Sequence, residues 1–334
     1  MEFSLANLWL AIIGFFLLYY AVTDGFGLGM GILALFMTKE EDQEVMLGSL
    51  RYIWHTNQTW LIVVGGMLFG AFPMFYSILF SALYIPAVLM LLGLVLRGIA
   101  IDFQEHSRLK RLWANIFGTG SLIAAVAQGL ALGGLLSGID VRNEIFAGGV
   151  WDWANSFTFL ILLGVISGYL ALGCNYLILK SEGNLQKRAR RYAFLFSAVT
   201  LGLSAAVFLG INLRYPSAGE KWISRPELFQ MGVLVILVGL GFFMLFRSLY
   251  RRQEVAPLFW NATTVVLGFT ALSINMYPLM IPHVVSPVTI EEAAASQQTL
   301  LFMLIVTGLL IPVMLFYTMV TYRVFRGKVS GTTA

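Results

Sequence analysis

Asp24 stands in the apolar run Ala21-Val22-Thr23-Asp24-Gly25-Phe26, and thirty residues later comes Trp54-His55-Thr56-Asn57-Gln58-Thr59-Trp60. A carboxylate at bilayer depth is costly and normally faces a partner or a hydrated path rather than lipid. Two readings of Asp24 follow: a carboxyl hydrogen-bonded to a neighbouring helix, or a ligand for a proton or ion. Histidine, as at residue 55, is the side chain type that ordinarily exchanges protons near neutral pH. The polar side chains beside it, entering a helix, make either a proton entrance or an ordinary membrane interface, where tryptophans such as Trp54 and Trp60 belong. Arg97 and Asp102 form the third group. Their five-residue separation does not suit one helical pair, because neighbours on a helix face are three or four apart. Arg97 therefore calls for a partner on another helix, or else snorkels to the interface.

These residues must be positioned by membrane helices. The chain is 59% hydrophobic and only 11% charged, with a mean hydropathy of +0.82, far from the roughly 25% charged residues of soluble domains. Nine stretches reach spanning length, at about 7–37, 57–76, 78–101, 115–136, 155–179, 193–213, 228–246, 259–280 and 299–322. The first is too long for a signal-peptide apolar region and lacks a basic start, so it is read as a retained helix. The longest loops, near 38–56, 137–154, 214–227 and 281–298, leave no room for a second soluble domain, and residues 1–334 read as one helical membrane domain. Eight helices plus one would suit two four-helix bundles with a peripheral span.

Charge orients the bundle. Segments after spans 1, 3, 5, 7 and 9 carry 16 Lys or Arg, and the N-terminus with the segments after spans 2, 4, 6 and 8 carries four. That bias places the N-terminus outside and the C-terminus in the cytoplasm. The net charge of +4 is spread in short clusters between apolar spans, of which Lys187-Arg188-Ala189-Arg190-Arg191 is the strongest. Such clusters orient membrane proteins and give no reason to expect nucleic acid.

Other chemistry is thin. Gly25, Gly27, Gly29 and Gly31 give two interleaved GxxxG pairs, which let a second helix backbone approach closely. The dinucleotide fingerprint fails because residue 30 is Met and no strand precedes it. The single cysteine, Cys174, excludes an intrachain disulfide and a CxxC site. His106 and His283 fall in loops on opposite sides, so no pair is placed to ligate a haem within the bundle, and Met276 and Met280 read as packing residues. An intramembrane Asp/Arg site in glycine-rich helices would also suit a secondary transporter.

Taken in order, Ala21 to Phe26, Trp54 with Asn57, Gln58 and Trp60, Gly65-Gly66, Phe72-Pro73-Met74-Phe75-Tyr76, Arg97 with Asp102, Tyr277-Pro278 with Pro282, and Ser296-Gln297 with Thr299-Leu300 resemble subunit II of the cytochrome bd-type quinol oxidases. The resemblance implies a bacterial plasma-membrane oxidase that takes electrons from quinol and reduces dioxygen to water. Haems b and d and the principal quinol site would belong to a homologous subunit I, so this chain itself would bind no cofactor. It would support that subunit and contribute to proton or oxygen access, with room in the complex for a small single-helix accessory subunit, membrane lipids and a bound quinone or lipid. Asp24 and His55 would be its proton-pathway residues, and Trp54, Asn57, Gln58, Trp60, Arg97 and Asp102 its structural or subunit contacts. Two departures stand out. Where this chain has His55, familiar members have an acid associated with proton uptake, and many carry an acid after the Phe of the first motif, where Gly27 stands here.

Overall fold

A computed structural model describes residues 4–215, 219–220, 222, 225–283 and 287–329, with backbone alone for 225–227. Parts of the expected 214–227 and 281–298 loops lie outside those residues. The chain is almost entirely α-helical: α1 (Leu5–Ala34), α2 (Glu40–Leu50), α3 (Trp54–Ala71), α4 (Pro73–Ala82), α5 (Tyr84–His106), α6 (Lys110–Ser137), α7 (Ser156–Lys180), α8 (Gly183–Arg214), α9 (Arg225–Tyr250), α10 (Ala256–Met276), α11 (Ile290–Ala293) and α12 (Gln297–Val324). Two antiparallel strand pairs, β1 (Val141–Arg142) with β2 (Ile145–Phe146) and β3 (Leu279–Ile281) with β4 (Val288–Thr289), lie in the connections.

Eight of these helices are long and apolar enough to cross a membrane by themselves. The expected second and third spans, 57–76 and 78–101, are divided differently. The chain turns by 119° between α3 and α4, because Pro73 cannot donate a helix hydrogen bond and pushes Phe72 out of the helical region. What reads as two joined spans is thus an 18-residue helix, a 10-residue transverse helix and α5. At 1.5 Å per residue α3 rises about 27 Å, enough for the hydrocarbon layer. Its far end reaches the opposite side of the bundle, where the Ala71 carbonyl accepts the Ala295 amide at 2.9 Å. Among the described residues, eight helices are of spanning character alone, and nine spans result when α3 and α4 are counted as one broken span.

The connections sort onto two ends. At one end Arg188 pairs with Asp42, Lys110 with Glu44 at 2.7 Å, and Lys328 with Glu182 and Glu254 at 3.4 and 3.0 Å. These contacts join the connections after α1, α5, α7 and α9 to the C-terminal segment, as alternate crossings require. At the other end α4, the strand pairs and α11 gather. There Ser4 donates to Glu291 at 2.5 Å and caps α1.

A small apolar core surrounds Ile161, Ile211 and Tyr215, and two large ones lie along the bundle. One, with Trp9, Phe16, Trp60 and Phe72, packs α1 against α3 and the strand-bearing end. The other, with Met30, Phe117, Cys174, Tyr176 and Leu245, joins α1, α2, α6, α7 and α9 near the end that carries the ion pairs. The arrangement is compatible with two four-helix bundles and an added helix, since α12 is covered mainly by α3 and α1 on one side.

Candidate functional site

Small residues bring the helices close enough for the charges to meet. A Cβ on Gly29 would collide with the Tyr169 carbonyl of α7, and one on Gly31 with Ser121 of α6. Helices α5 and α6 cross at Gly93 and Gly120, where an added Cβ would stand 2.7 Å from a backbone oxygen of the other helix. Gly29 therefore does what the spacing suggests and admits the backbone of α7, while Gly25 and Gly31 make room for the side chains of Tyr169 and Ser121. Gly27 has a different neighbour. A Cβ there would lie 3.2 Å from Arg97 Nη2 and 3.5 Å from Asp24 Oδ1, so the missing side chain leaves space for a guanidinium.

Arg97 fills that space from α5. Its Nη1 donates to Asp24 Oδ2 and its Nη2 to Asp24 Oδ1, both at 2.8 Å, and the two residues are 1% and 0% exposed. This bidentate fork is the strong form of an arginine–carboxylate pair. The guanidinium also stands 5.5 Å from the centre of the Phe117 ring. Around the carboxylate lies a polar chain that the sequence reading did not include. Tyr169 donates to Gln128 Oε1 at 2.5 Å and Gln128 Nε2 donates to the Tyr20 hydroxyl at 2.7 Å. Tyr20 lies one turn before Asp24 on α1. Helices α1, α5, α6 and α7 are thereby tied at one level. Gln128 and Tyr169 are polar groups inside apolar spans, a signal visible in the sequence, whereas their convergence on Asp24 is not.

The second motif sits around the start of α3. Asn57 Nδ2 donates to the Thr23 carbonyl at 2.8 Å, beside Asp24, and Tyr322 of α12 donates to Asn57 Oδ1 at 2.7 Å. Trp60 is buried and stacked on Phe16 with ring centres 4.9 Å apart. Trp54 is buried against α5, where a Cβ on Gly98 would come within 3.2 Å of its ring. Gln58 is half-buried. His55 is exposed, its ring 3.5 Å from that of Trp54, and its carbonyl accepts from Thr59 at 2.9 Å. Asp102 is exposed on α5 and stands apart from Arg97; its carbonyl lies 3.4 Å from His106 Nδ1. The structure thus unites Asp24 with Arg97 and brings Asn57 beside them, and it leaves His55 and Asp102 on the surface of the chain.

Chemically, the centre is a closed ion pair in a shell of tyrosine and amide groups. Each oxygen of the carboxylate accepts from Arg97. Among the described residues no cluster of three His, Cys, Asp or Glu side chains is placed to hold a metal.

Such a membrane bundle, with these motifs, has known counterparts. Residues 5–325 match the family described as cytochrome bd terminal oxidase subunit II, and the chain belongs to that family. Subunit 2 of the cytochrome bd-I ubiquinol oxidase of Escherichia coli K12 is 27% identical, over 97% of this chain and 94% of that protein. Subunit 2 of the cytochrome bd ubiquinol oxidase of Bacillus subtilis 168 is also 27% identical, over 98% and 97%. The bd oxidase structure from Geobacillus thermodenitrificans contains a chain that superposes with a TM-score of 0.81 at 15% identity, covering 97% of this chain and 99% of that one, which establishes the shared fold. The chain is a multi-span subunit of a bacterial respiratory oxidase and works in a complex with a subunit I. The transporter reading finds no support.

Proposed function

We propose that this chain is the haem-free brace of a quinol:oxygen oxidoreductase, holding a subunit I that carries haems b and d and oxidises quinol. The carrying observation is the Asp24–Arg97 pair, which is buried, bidentate and enclosed by four helices. Two charges satisfied by each other are a fastening between helices rather than a passage for a substrate. The donor set also argues against a haem within this chain: His55 and His106 are exposed at helix ends, and His283 lies in the connection between β3 and β4. Haem axial ligands would have to come from inside the bundle.

Proton access belongs on the exposed face of α3. His55 is there, uncovered and supported by Trp54, where a neighbouring subunit or water can reach it. Asp24 takes the structural reading, because its oxygens are occupied. An open apolar crevice of about 300 Å³ between α3 and α12, lined by Val63, Gly66, Met67, Phe302, Val306 and Leu310 among others, has room for an acyl chain or quinone tail. The charge bias supports an outside N-terminus and a cytoplasmic C-terminus in the plasma membrane. A single-helix accessory subunit would find apolar surface on α12.

Two substitutions in the complex test these roles. Asp24→Asn is expected to lower assembly with subunit I. Normal assembly with slowed oxygen consumption would instead make Asp24 a proton carrier. His55→Ala is expected to leave haem spectra unchanged and slow turnover, with partial recovery in His55→Glu. Parental turnover of His55→Ala from about pH 6 to 8, around the ordinary histidine value, would remove His55 from the proton path.

A further inference from the structure

Helices α8 and α9 lean on different neighbours. Thr200 of α8 donates to Ser167 of α7 at 3.1 Å, while α9 approaches α10 at Gly241, where a Cβ would lie 2.9 Å from Thr264. Between themselves they meet through Phe194 and Phe246, ring centres 5.0 Å apart, and at the ion-paired end Arg190 donates to the Gln253 carbonyl at 2.9 Å. These contacts set the antiparallel register, and the two helices present an exposed apolar surface, with Phe194, Phe243 and Tyr250 at 53%, 59% and 87% exposure.

Arginines stand at the ion-paired end of that surface. Arg191 is one turn from Phe194 toward the ion-paired end of α8; Arg247 follows Phe246 on α9, and Arg251 comes one turn later. All three are exposed, and none forms an ion pair among the described residues. Arg247 has only a 4.0 Å contact with the Met244 sulfur. The acid of this corner, Glu254, is already taken by Gln186 at 3.0 Å and by Lys328. Guanidinium forks without a carboxylate partner, at the end of an exposed aromatic surface, complement a phosphate joined to acyl chains.

We propose that the arginine end of the exposed α8–α9 surface binds an anionic phospholipid, with Arg191, Arg247 and Arg251 on its phosphate and its acyl chains along Phe194 and Phe243. This site is independent of proton or haem chemistry. The test is native mass spectrometry of the delipidated complex with subunit I, titrated with dioleoyl phosphatidylglycerol or dioleoyl phosphatidylcholine. One phosphatidylglycerol should bind in preference to phosphatidylcholine, and the preference should fall about fivefold for each arginine replaced in R191Q, R247Q and R251Q. R108Q/R111Q removes two exposed arginines beside the tightly crossed α5 and α6, and should keep the preference. Should the triple variant not assemble, the single variants carry the test. No preference in the parent, an unchanged preference in the α8–α9 variants, or an equal loss in R108Q/R111Q would overturn the assignment.

Discussion

Helices α1 and α12 are alike in length and apolar character, with 30 and 28 residues, yet the chain uses them differently. Helix α1 buries every residue from Asp24 to Ala34, whereas α12 buries only Leu300, Thr318 and Thr321. Hydrophobicity does not separate them, because lipid is as good a solvent for leucine as a protein core is. Small residues do. In a membrane, close packing and polar contacts hold helices together; α1 has glycines against α6 and α7, and the single glycine of α12, Gly308, faces open space. Helix α12 is instead attached at points: Trp9 donates to the Leu300 carbonyl at 3.0 Å, Tyr322 to Asn57, and Lys180 to the carbonyls of Phe325 and Gly327 at 2.6 and 3.1 Å.

The largest break in this contrast should come from the α1 ion pair. Removing one member leaves the other charge buried, which costs about 3–5 kcal/mol. Arg97→Leu should therefore abolish or sharply reduce the yield of assembled complex. Asp24→Leu combined with Arg97→Leu should recover much of that yield, because the pair costs more desolvation than an apolar replacement of similar volume. A double variant as poor as the single one would show that the charges serve more than packing.

Glycines come next. Gly29→Ala puts a methyl group into the Tyr169 carbonyl, where backbone must move; a loss of about 3 kcal/mol, at the upper end of overpacking, is expected as a lower thermal midpoint of the complex. Gly308→Ala on α12 should stay within about 0.5 kcal/mol. Equal effects at the two sites would erase the distinction between a packed and an attached helix. Between these limits lies Asn57→Ala, which takes two hydrogen bonds from the α1–α3–α12 junction and should cost about 1–3 kcal/mol.

The same physics decides what was legible in the sequence. Spanning helices follow from apolar length, so apart from the region of α3 to α5 the spans fall close to their expected places. The break at Phe72-Pro73 was also written in the sequence, but hydropathy averages across it, and only the restriction that proline imposes reveals it. In sequence Arg97 read either as paired with another helix or as snorkelling to the interface, and Asp24 either as bonded to a neighbouring helix or as a proton or ion ligand. Their meeting depends on where α5 crosses α6, a tertiary fact with no local trace. Gly27 shows this most clearly. In sequence it is a departure from an acidic position, and in space it is the room that the guanidinium occupies.

The smallest effect concerns the attachment of α12 outside the membrane. Gln186 and Lys328 hold the Glu254 carboxyl below its usual range by hydrogen bonds, and Glu254 in turn raises the Lys328 ammonium. For the depressed acid, the stabilising contribution is complete above the unfolded carboxylate value of about 4.3 and is lost as pH falls through the lower folded value. For the raised amine it is complete below the unfolded value of about 10.4 and is lost as pH rises through the higher folded one. Across the neutral range both groups are charged, so Glu254→Gln should produce a nearly pH-independent loss there. The pair is exposed, and salt should screen it. The measurement is protease sensitivity of the chain after Val324, in parent and Glu254→Gln complexes, at low and high ionic strength. Faster cleavage of the variant at low salt, converging with the parent at about 1 M, would locate part of the hold on α12 in this ion pair. Identical cleavage at low salt would leave Lys180, with its two carbonyl contacts, as the attachment that matters.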